Sequence, residues 1–163
     1  MARDSRVRWD IARIVRPVDA ERVLRMLTLS VAVGNLDLHM KNFSLLHLPD
    51  DVVRLAPMYD VVPQHFYDDT DGEMALRIGG EFEHRLLTRA HLEAAGAELG
   101  VSAANDVIAE TLTVVRDIAR GERPHAAAHP GLQPMIESMT VHLINGKTVM
   151  SVDPGSPDSN GGR

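Results

Sequence analysis

The chain has 163 residues, of which 44% are hydrophobic and 25% charged, a composition typical of one ordinary globular domain. Cysteine is absent, which excludes disulfides, thiolate metal sites and thiol nucleophiles. The net charge of -6 argues against direct nucleic-acid binding, although the first 25 residues carry seven arginines against four acidic residues. The sequence offers neither a signal-peptide core nor an apolar run of membrane-helix length, so we expect a cytoplasmic protein without a membrane span.

Hydrophobic spacing in the first half of the chain predicts one helix followed by a short β-hairpin. We expect the helix to begin at Asp19, as its N-cap, and to end at about Val33 before Gly34. The stretches FSLLHL, residues 43–48, and VVRL, residues 52–55, predict the two strands, because the Pro and Asp residues between them favour a turn. A further short strand is expected in MALRIGG, residues 74–80.

The second half of the chain is predicted to be helical. Helices are expected over residues 88–99, 102–120 and 130–144, opened in the first two cases by Thr88 and Ser102. We therefore expect a mainly α protein with a short β-hairpin. We divide it into a basic N-terminal segment (residues 1–18), a folded domain (residues 19–144) and a disordered tail (residues 145–163), since the tail is rich in Gly, Ser, Pro and Asp.

A dense polar stretch, GNLDLHMKNF, lies between the first helix and the hairpin. Asp37 precedes Asn42 by five positions, and Asp60 follows the second strand of the hairpin. Because a hairpin brings its two ends together, two carboxylates and one amide oxygen can meet there. Such hard oxygen ligands suit Mg²⁺, which completes its coordination with waters and substrate phosphates.

Asp-x-x-x-x-Asn with a second Asp after a hairpin is the spacing of protein kinases, although Asn-Leu-Asp and Asp-Val-Val replace the usual His-Arg-Asp and Asp-Phe-Gly. Together, GNLDLHMKNFSLL, LAPMYDVVP and MALRIGG resemble the C-terminal lobe of HipA-like serine/threonine kinases, the toxins of bacterial toxin–antitoxin pairs. The resemblance covers about residues 15–145. It implies the C-lobe of the protein-kinase-like fold and phosphotransfer that depends on ATP and Mg²⁺.

The resemblance assigns a role to five residues of the polar stretch and its return loop. It makes Asp37 the base that faces a substrate hydroxyl, and it makes Asn42 and Asp60 ligands of Mg²⁺ and its nucleotide. His39 and Lys41 follow Asp37 closely enough to contact a phosphate or Asp37 itself, so they are secondary catalytic candidates. Taken singly, an Asp after Gly-Asn, such as Asp37, is more typical of a turn, and Asn42 before a strand is more typical of a cap or turn. Only their combination with Asp60 and the hairpin indicates a kinase site.

The sequence departs from the kinase pattern before the first helix. A kinase N-lobe supplies a Gly-rich loop and a strand lysine, but no glycine precedes Gly34 here, and the chain's lysines are Lys41 and Lys147. We therefore expect a C-lobe without its N-lobe, from a truncated or split kinase, that is inactive by itself. Two functions stay open at this point, the catalytic lobe of a kinase and a catalytically inactive remnant that binds proteins.

The family resemblance also implies partners. These are a protein substrate such as an aminoacyl-tRNA synthetase, a helix-turn-helix antitoxin and a separate N-lobe chain. The residues between Asp68 and Glu73 form an acidic stretch that predicts a solvated loop. His47, His65 and His84 lack the spacing of zinc ligands, so we expect them at solvated or core-edge positions.

Overall fold

The computed structural model describes residues 17–49, 51–67 and 69–151. Four α-helices are present in these residues: α1 (Pro17–Val33), α2 (Arg89–Glu98), α3 (Ala104–Gly121) and α4 (Leu132–Ile144). Two antiparallel hairpins join β1 (Leu45–His47) to β2 (Val53–Leu55) and β3 (Glu73–Ile78) to β4 (Glu81–Glu83). The prediction of a mainly α protein with a hairpin after the first helix is confirmed, and the second hairpin is an addition to it.

Helix α1 is the centre of the helical layer. It contacts α2, α3 and α4, which explains why its apolar residues are not confined to one stripe. Leu24, Val31 and Ala32 are fully buried. Burying one such leucine contributes roughly 1.5–3 kcal/mol, so α1 is anchored from several sides at once.

The end of α1 is fixed by a Schellman-type cap. Gly34 adopts a left-handed conformation with φ +72°, and the backbone N–H of Asn35 donates to the carbonyl of Ser30 at 2.9 Å. The Asn35 side chain also donates to the Ser30 hydroxyl at 3.3 Å. A Cβ atom at Gly34 would lie 2.9 Å from the Cβ of His65. Only glycine fits at this junction, and the polar stretch therefore starts from a rigid point.

The first hairpin has a regular register. Leu45 pairs with Leu55 and His47 with Val53. The pairing continues past the strands, because the N–H of Ala56 donates to the carbonyl of Ser44 at 2.8 Å. The segments before β1 and after β2 consequently leave the hairpin side by side.

The second hairpin packs beside the polar stretch. Its first strand contains residues 74–78 of the predicted MALRIGG stretch, and Gly79 and Gly80 form the turn that follows. The N–H of Ala75 in this strand donates to the carbonyl of Leu36 at 2.7 Å. Its second strand, Glu81–Glu83, was not expected, because a three-residue strand with two charged residues has no recognisable alternation of apolar and polar positions.

Several predicted boundaries need correction. Asp19 lies within α1, buried, with Arg22 at 3.5 Å, rather than capping the helix from outside. The third helix begins at Ala104, two residues after Ser102. The prediction of a disordered tail from residue 145 is wrong for residues 145–151, because Val149 is fully buried and its N–H donates to the carbonyl of Leu87 at 2.8 Å.

Two other predicted segments cannot be compared with the structure. The tail from residue 152 onward and most of the basic N-terminal segment lie outside the described residues. Among the helices that are described, none combines the length and the apolar character needed to cross a membrane.

Candidate functional site

Two loops that flank the first hairpin lie against each other. We name them the Asp37 loop, residues 34–44, and the Asp60 loop, residues 56–66. At one end, the N–H of His65 donates to the carbonyl of Gly34 at 3.2 Å. At the other, the Tyr59 hydroxyl donates to the carbonyl of Lys41 at 2.6 Å and lies 2.8 Å from the Ser44 hydroxyl. The two loops thus form one unit, held by the hairpin and by these bonds.

Asn42 and Asp60 are in direct contact within this unit. The Asn42 side-chain NH₂ group donates to Asp60 Oδ2 at 3.4 Å, while Asn42 Oδ1 accepts the backbone N–H of His39 at 2.8 Å. Asn42 is buried and Asp60 is exposed. An amide oxygen has two acceptor positions, so Asn42 Oδ1 keeps one position beyond its bond to His39.

The backbone of Asp60 is unusual. Its φ of +58° lies in the left-handed region, which aspartate tolerates better than most residues but which still costs of the order of 1–3 kcal/mol. The hydroxyl bonds of the preceding Tyr59 and the bond from Asn42 hold the residue in this conformation. Strain of this kind is concentrated at functional sites, where the surrounding structure fixes it.

Asp37 lies at the wall of an open cavity of about 570 Å³. Its backbone N–H donates to Gln64 Oε1 at 2.7 Å, and its side chain is exposed. The cavity wall also contains Tyr67, Thr70 and three further acidic residues, namely Asp69, Asp71 and Glu73. Asn42 and Asp60 are outside this lining.

His39 and Lys41 are less closely connected to Asp37 than their spacing predicts. Within the described residues, neither side chain makes a hydrogen bond or ion pair with Asp37. His39 is half-buried and contributes its backbone N–H to Asn42, whereas Lys41 is exposed and contributes its carbonyl to Tyr59. Both residues therefore support the unit through their backbone, and their catalytic roles stay predictions.

Sequence reasoning missed Gln64, which connects the Asp60 loop to the backbone of Asp37. A single glutamine in a loop is usually solvated, and its position four residues after Asp60 gives no signal until the hairpin is folded.

Sequence reasoning also misplaced His84, which is 1% exposed rather than solvated or at the core edge. Its Nε2–H donates to the carbonyl of Val31 in the last turn of α1 at 2.8 Å, where helical carbonyls lack partners within the helix. Burial lowers the pKa of His84 below its ordinary value of 6.5, nearby His65 lowers it further, and the bond to Val31 opposes both.

The oxygen donors of the Asn42–Asp60 pair are one carboxylate and one side-chain amide. The described part of the chain contains no group of three or more His, Cys, Asp or Glu side chains that could hold a metal ion. Mg²⁺, however, is commonly bound by one or two carboxylates together with waters and substrate phosphates. The exposed carboxylate of Asp60 beside the Asn42 amide fits a shared ion of that kind, and does not fit a metal site made by protein side chains alone.

Comparison with known proteins identifies the family. The family model described as HipA-like C-terminal domain matches residues 8–119, a range that contains both loops. The match covers more than half of the chain, so the protein belongs to the HipA-like family, as the sequence motifs predict.

Two curated proteins of Sinorhizobium fredii are similar to the chain. One, named "Putative kinase Y4mE", is 35% identical over 91 residues, which are 54% of this chain and 20% of that protein. The other, named "Putative kinase Y4dM", is 31% identical over 108 residues, which are 64% of this chain and 26% of that protein. The chain thus spans about a fifth to a quarter of the length of these relatives.

Proposed function

We propose that this chain is the C-terminal catalytic lobe of a HipA-like serine/threonine kinase with the protein-kinase-like C-lobe fold. The observation that carries the proposal is the 3.4 Å contact between Asn42 and Asp60, which the hairpin brings together from distant parts of the sequence. In a member of the HipA-like family whose relatives are named as kinases, this pair occupies the positions that the kinase spacing assigns to the metal ligands.

Asp60 and Asn42 would hold Mg²⁺ through a carboxylate oxygen and the amide oxygen. When bound, the ion neutralises charge on the phosphates of ATP. Asp60 presents its carboxylate to solvent from a strained backbone, while buried Asn42 is held by the N–H of His39. The Asn42 NH₂ group faces Asp60, so the amide oxygen would reach the ion through the acceptor position that the N–H of His39 leaves free.

Asp37 would act as the base for the acceptor hydroxyl. Four carboxylates at the cavity wall disfavour phosphate, so the nucleotide approaches from the Asn42–Asp60 side and the protein substrate from the cavity. The Asp37 carboxylate takes the proton of a serine or threonine hydroxyl while that oxygen attacks the γ-phosphorus. The bond from the γ-phosphorus to the bridging oxygen breaks and ADP leaves. A positioned base typically contributes about 10²- to 10⁴-fold.

Lys41 and His39 are assigned supporting parts in this proposal. The exposed ammonium group of Lys41 would stabilise the negative charge of the migrating phosphoryl group. The half-buried ring of His39 would contact a phosphate or Asp37 after a change of side-chain rotamer.

The family resemblance extends the proposal to partners. The Gly-rich loop and lysine of an N-lobe, in the same protein or in a separate chain, would complete the nucleotide site. The substrate would be a cytoplasmic protein such as an aminoacyl-tRNA synthetase, and a helix-turn-helix antitoxin would restrain the activity of the toxin.

A second candidate function is a protein-binding module without catalysis. It is favoured by the exposed side chains at the end of the first hairpin, where Leu46 and Leu48 are each 44% exposed. Exposed apolar residues of this size commonly mark interaction surfaces when they are adjacent.

The two candidates are separated by a phosphotransfer assay. The chain is fused to, or mixed with, the N-lobe of a HipA-like relative and incubated with γ-³²P-labelled ATP, Mg²⁺ and a protein extract. Labelled phosphoserine or phosphothreonine that is lost on removal of Mg²⁺ supports the kinase. Nucleotide binding without any labelled product would contradict it and leave the binding module.

A further inference from the structure

We propose that Gln64 is a positioning residue that fixes the backbone of Asp37 for phosphotransfer. The proposal rests on the kinase function proposed above, and it concerns a residue outside the Asp-x-x-x-x-Asn and second-Asp pattern. Its basis is the 2.7 Å hydrogen bond from the backbone N–H of Asp37 to Gln64 Oε1.

Asp37 needs such a bond because its own side chain is exposed. The residues on both sides, Leu36 and Leu38, are 5% and 1% exposed, and the carbonyl of Leu36 is held by the N–H of Ala75. These contacts fix the chain before and after Asp37. The carbonyl of Leu36 and the N–H of Asp37 belong to one peptide unit, so the bonds to Ala75 and Gln64 hold that unit from both sides and set the direction in which the Asp37 side chain leaves the backbone.

Gln64 is itself held in place, so that its amide oxygen is presented from a fixed backbone. Its N–H donates to the carbonyl of Val62 at 2.8 Å, and its carbonyl accepts the N–H of Tyr67 at 2.9 Å. The next residue, His65, donates its N–H to Gly34 at 3.2 Å. Since Gln64 belongs to the Asp60 loop, one hydrogen bond couples the loop of the metal ligand to the loop of the base.

The neutral amide is suited to this position. An acceptor is required for the N–H of Asp37, and a carboxylate would supply one, but it would add a further negative charge to a wall that already contains four carboxylates. A glutamate at this position would keep the bond and add like-charge repulsion against the Asp37 carboxylate. Two substitutions of Gln64 can therefore separate the effect of losing the hydrogen bond from the effect of adding a charge.

The first part of the experiment uses the 163-residue chain and amide hydrogen exchange by NMR. In Gln64→Met, which keeps the side-chain length and removes the acceptor, the Asp37 amide is expected to exchange about tenfold faster or more. Gln64→Glu is expected to restore slow exchange. Gln133→Met is the matched control, because Gln133 bonds to carbonyls of α3 and the following residue, and Asp37 exchange should not change. Unchanged Asp37 exchange in Gln64→Met would overturn the proposal.

The second part measures phosphotransfer in the chain fused to the N-lobe of a HipA-like relative. Gln64→Met is expected to lower kcat about tenfold with KM for ATP unchanged. Gln64→Glu should recover much of kcat at high pH and move the acidic limb of the pH–rate profile to higher pH. A purely structural role would not move that limb, so an unshifted profile overturns the proposal. If Asp37→Ala loses phosphotransfer and Gln64→Met keeps it, the positioning role of Gln64 is overturned but the kinase function is not. If Asp37→Ala keeps phosphotransfer, the kinase function is overturned as well.

Discussion

The side-chain amide of Asn42 lies 3.4 Å from the Asp60 carboxylate, although the two residues are 18 positions apart. The register of the first hairpin produces this contact, since Leu45 pairs with Leu55 and the segments before β1 and after β2 leave the same end of the hairpin side by side. Asp60 reaches Asn42 in a left-handed backbone conformation, with φ +58°. The candidate metal site thus depends on a hairpin, on one strained residue and on one buried amide.

Replacement of Asp60 should weaken metal and nucleotide binding. Asp60→Asn keeps a residue that tolerates a left-handed backbone but removes the charge, so we expect at least about a tenfold loss of Mn²⁺ affinity in the presence of ATP. Asp60→Ala should lose the same affinity and also about 1 kcal/mol of unfolding free energy through backbone strain. Mn²⁺ relaxation measurements and urea unfolding report the two effects separately.

Asp51 provides the matched control for Asp60. It also has a left-handed backbone, with φ +56°, but it lies in the turn of the first hairpin. Asp51→Ala should lose stability like Asp60→Ala and keep the wild-type Mn²⁺ affinity. Equal Mn²⁺ affinity in all of these variants would remove Asp60 from the metal site.

Replacement of Asp37 should separate binding from chemistry. In the chain fused to an N-lobe, Asp37→Ala is expected to lower phosphotransfer by about 10²-fold or more while ATP binding stays within about twofold, because a base acts in the transition state. The measurement is a labelled-ATP assay together with a nucleotide titration. Asp117→Ala, an exposed aspartate on α3, serves as the control. Wild-type transfer in Asp37→Ala would show that this residue is not the base.

The junction between α1 and the Asp37 loop should tolerate only glycine. Gly34→Ala puts a side chain on a left-handed backbone and 2.9 Å from the Cβ of His65. Gly100 has the same φ of +72° with open space around it, so Gly100→Ala measures the backbone strain alone, roughly 1–2 kcal/mol. Gly34→Ala should cost about 1–3 kcal/mol more than that. Urea unfolding of both variants gives the difference, and equal losses would contradict the close approach of the two loops.

Stability should fall in mild acid through His84. Burial lowers the pKa of this histidine in the folded protein below its unfolded value of 6.5. Above pH 6.5 the residue is neutral in both states and contributes no pH dependence. Below pH 6.5, the unfolded chain binds a proton that the folded chain resists, so unfolding free energy decreases by up to about 1.4 kcal/mol per pH unit until the folded pKa is reached.

The substitution that tests this is His84→Gln, whose side-chain NH₂ can still donate to the carbonyl of Val31. Urea unfolding between pH 5 and 8 should show a smaller loss of stability in acid for His84→Gln than for the wild type. His65 lies 6.0 Å from His84 between ring centres, so His65→Gln is the control for the neighbouring imidazole. The same pH dependence in the wild type and His84→Gln would show that other groups cause it.

The sequence predicted local features well and long-range contacts unevenly. The helices and the first hairpin follow from periodicity and from turn residues, which act over a few positions. The Asn42–Asp60 pair was anticipated because the hairpin between the two residues is itself local. The sequence did not predict the bond from Asp37 to Gln64 or the burial of His84, because both depend on how the loops and α1 pack. Neither Gln64 nor His84 belongs to a spaced sequence pattern.

The 163-residue chain by itself is expected to bind ATP weakly and to transfer no phosphate. In a kinase the adenine lies between two lobes, and a Gly-rich loop and a lysine of the N-lobe hold the phosphates, whereas in the proposed function this chain would supply only the metal ligands and one wall of the pocket. Asp60 is exposed, so water screens its attraction for a Mg²⁺-bound triphosphate, and we expect a dissociation constant on the order of millimolar. The wall that an N-lobe would cover should also promote self-association. Calorimetric titration with ATP and Mg²⁺ tests the affinity, and sedimentation tests the association. Micromolar affinity would contradict the prediction and would indicate that another segment of this chain completes the pocket. Deletion of the arginine-rich first 18 residues would then be the first test of which segment does so.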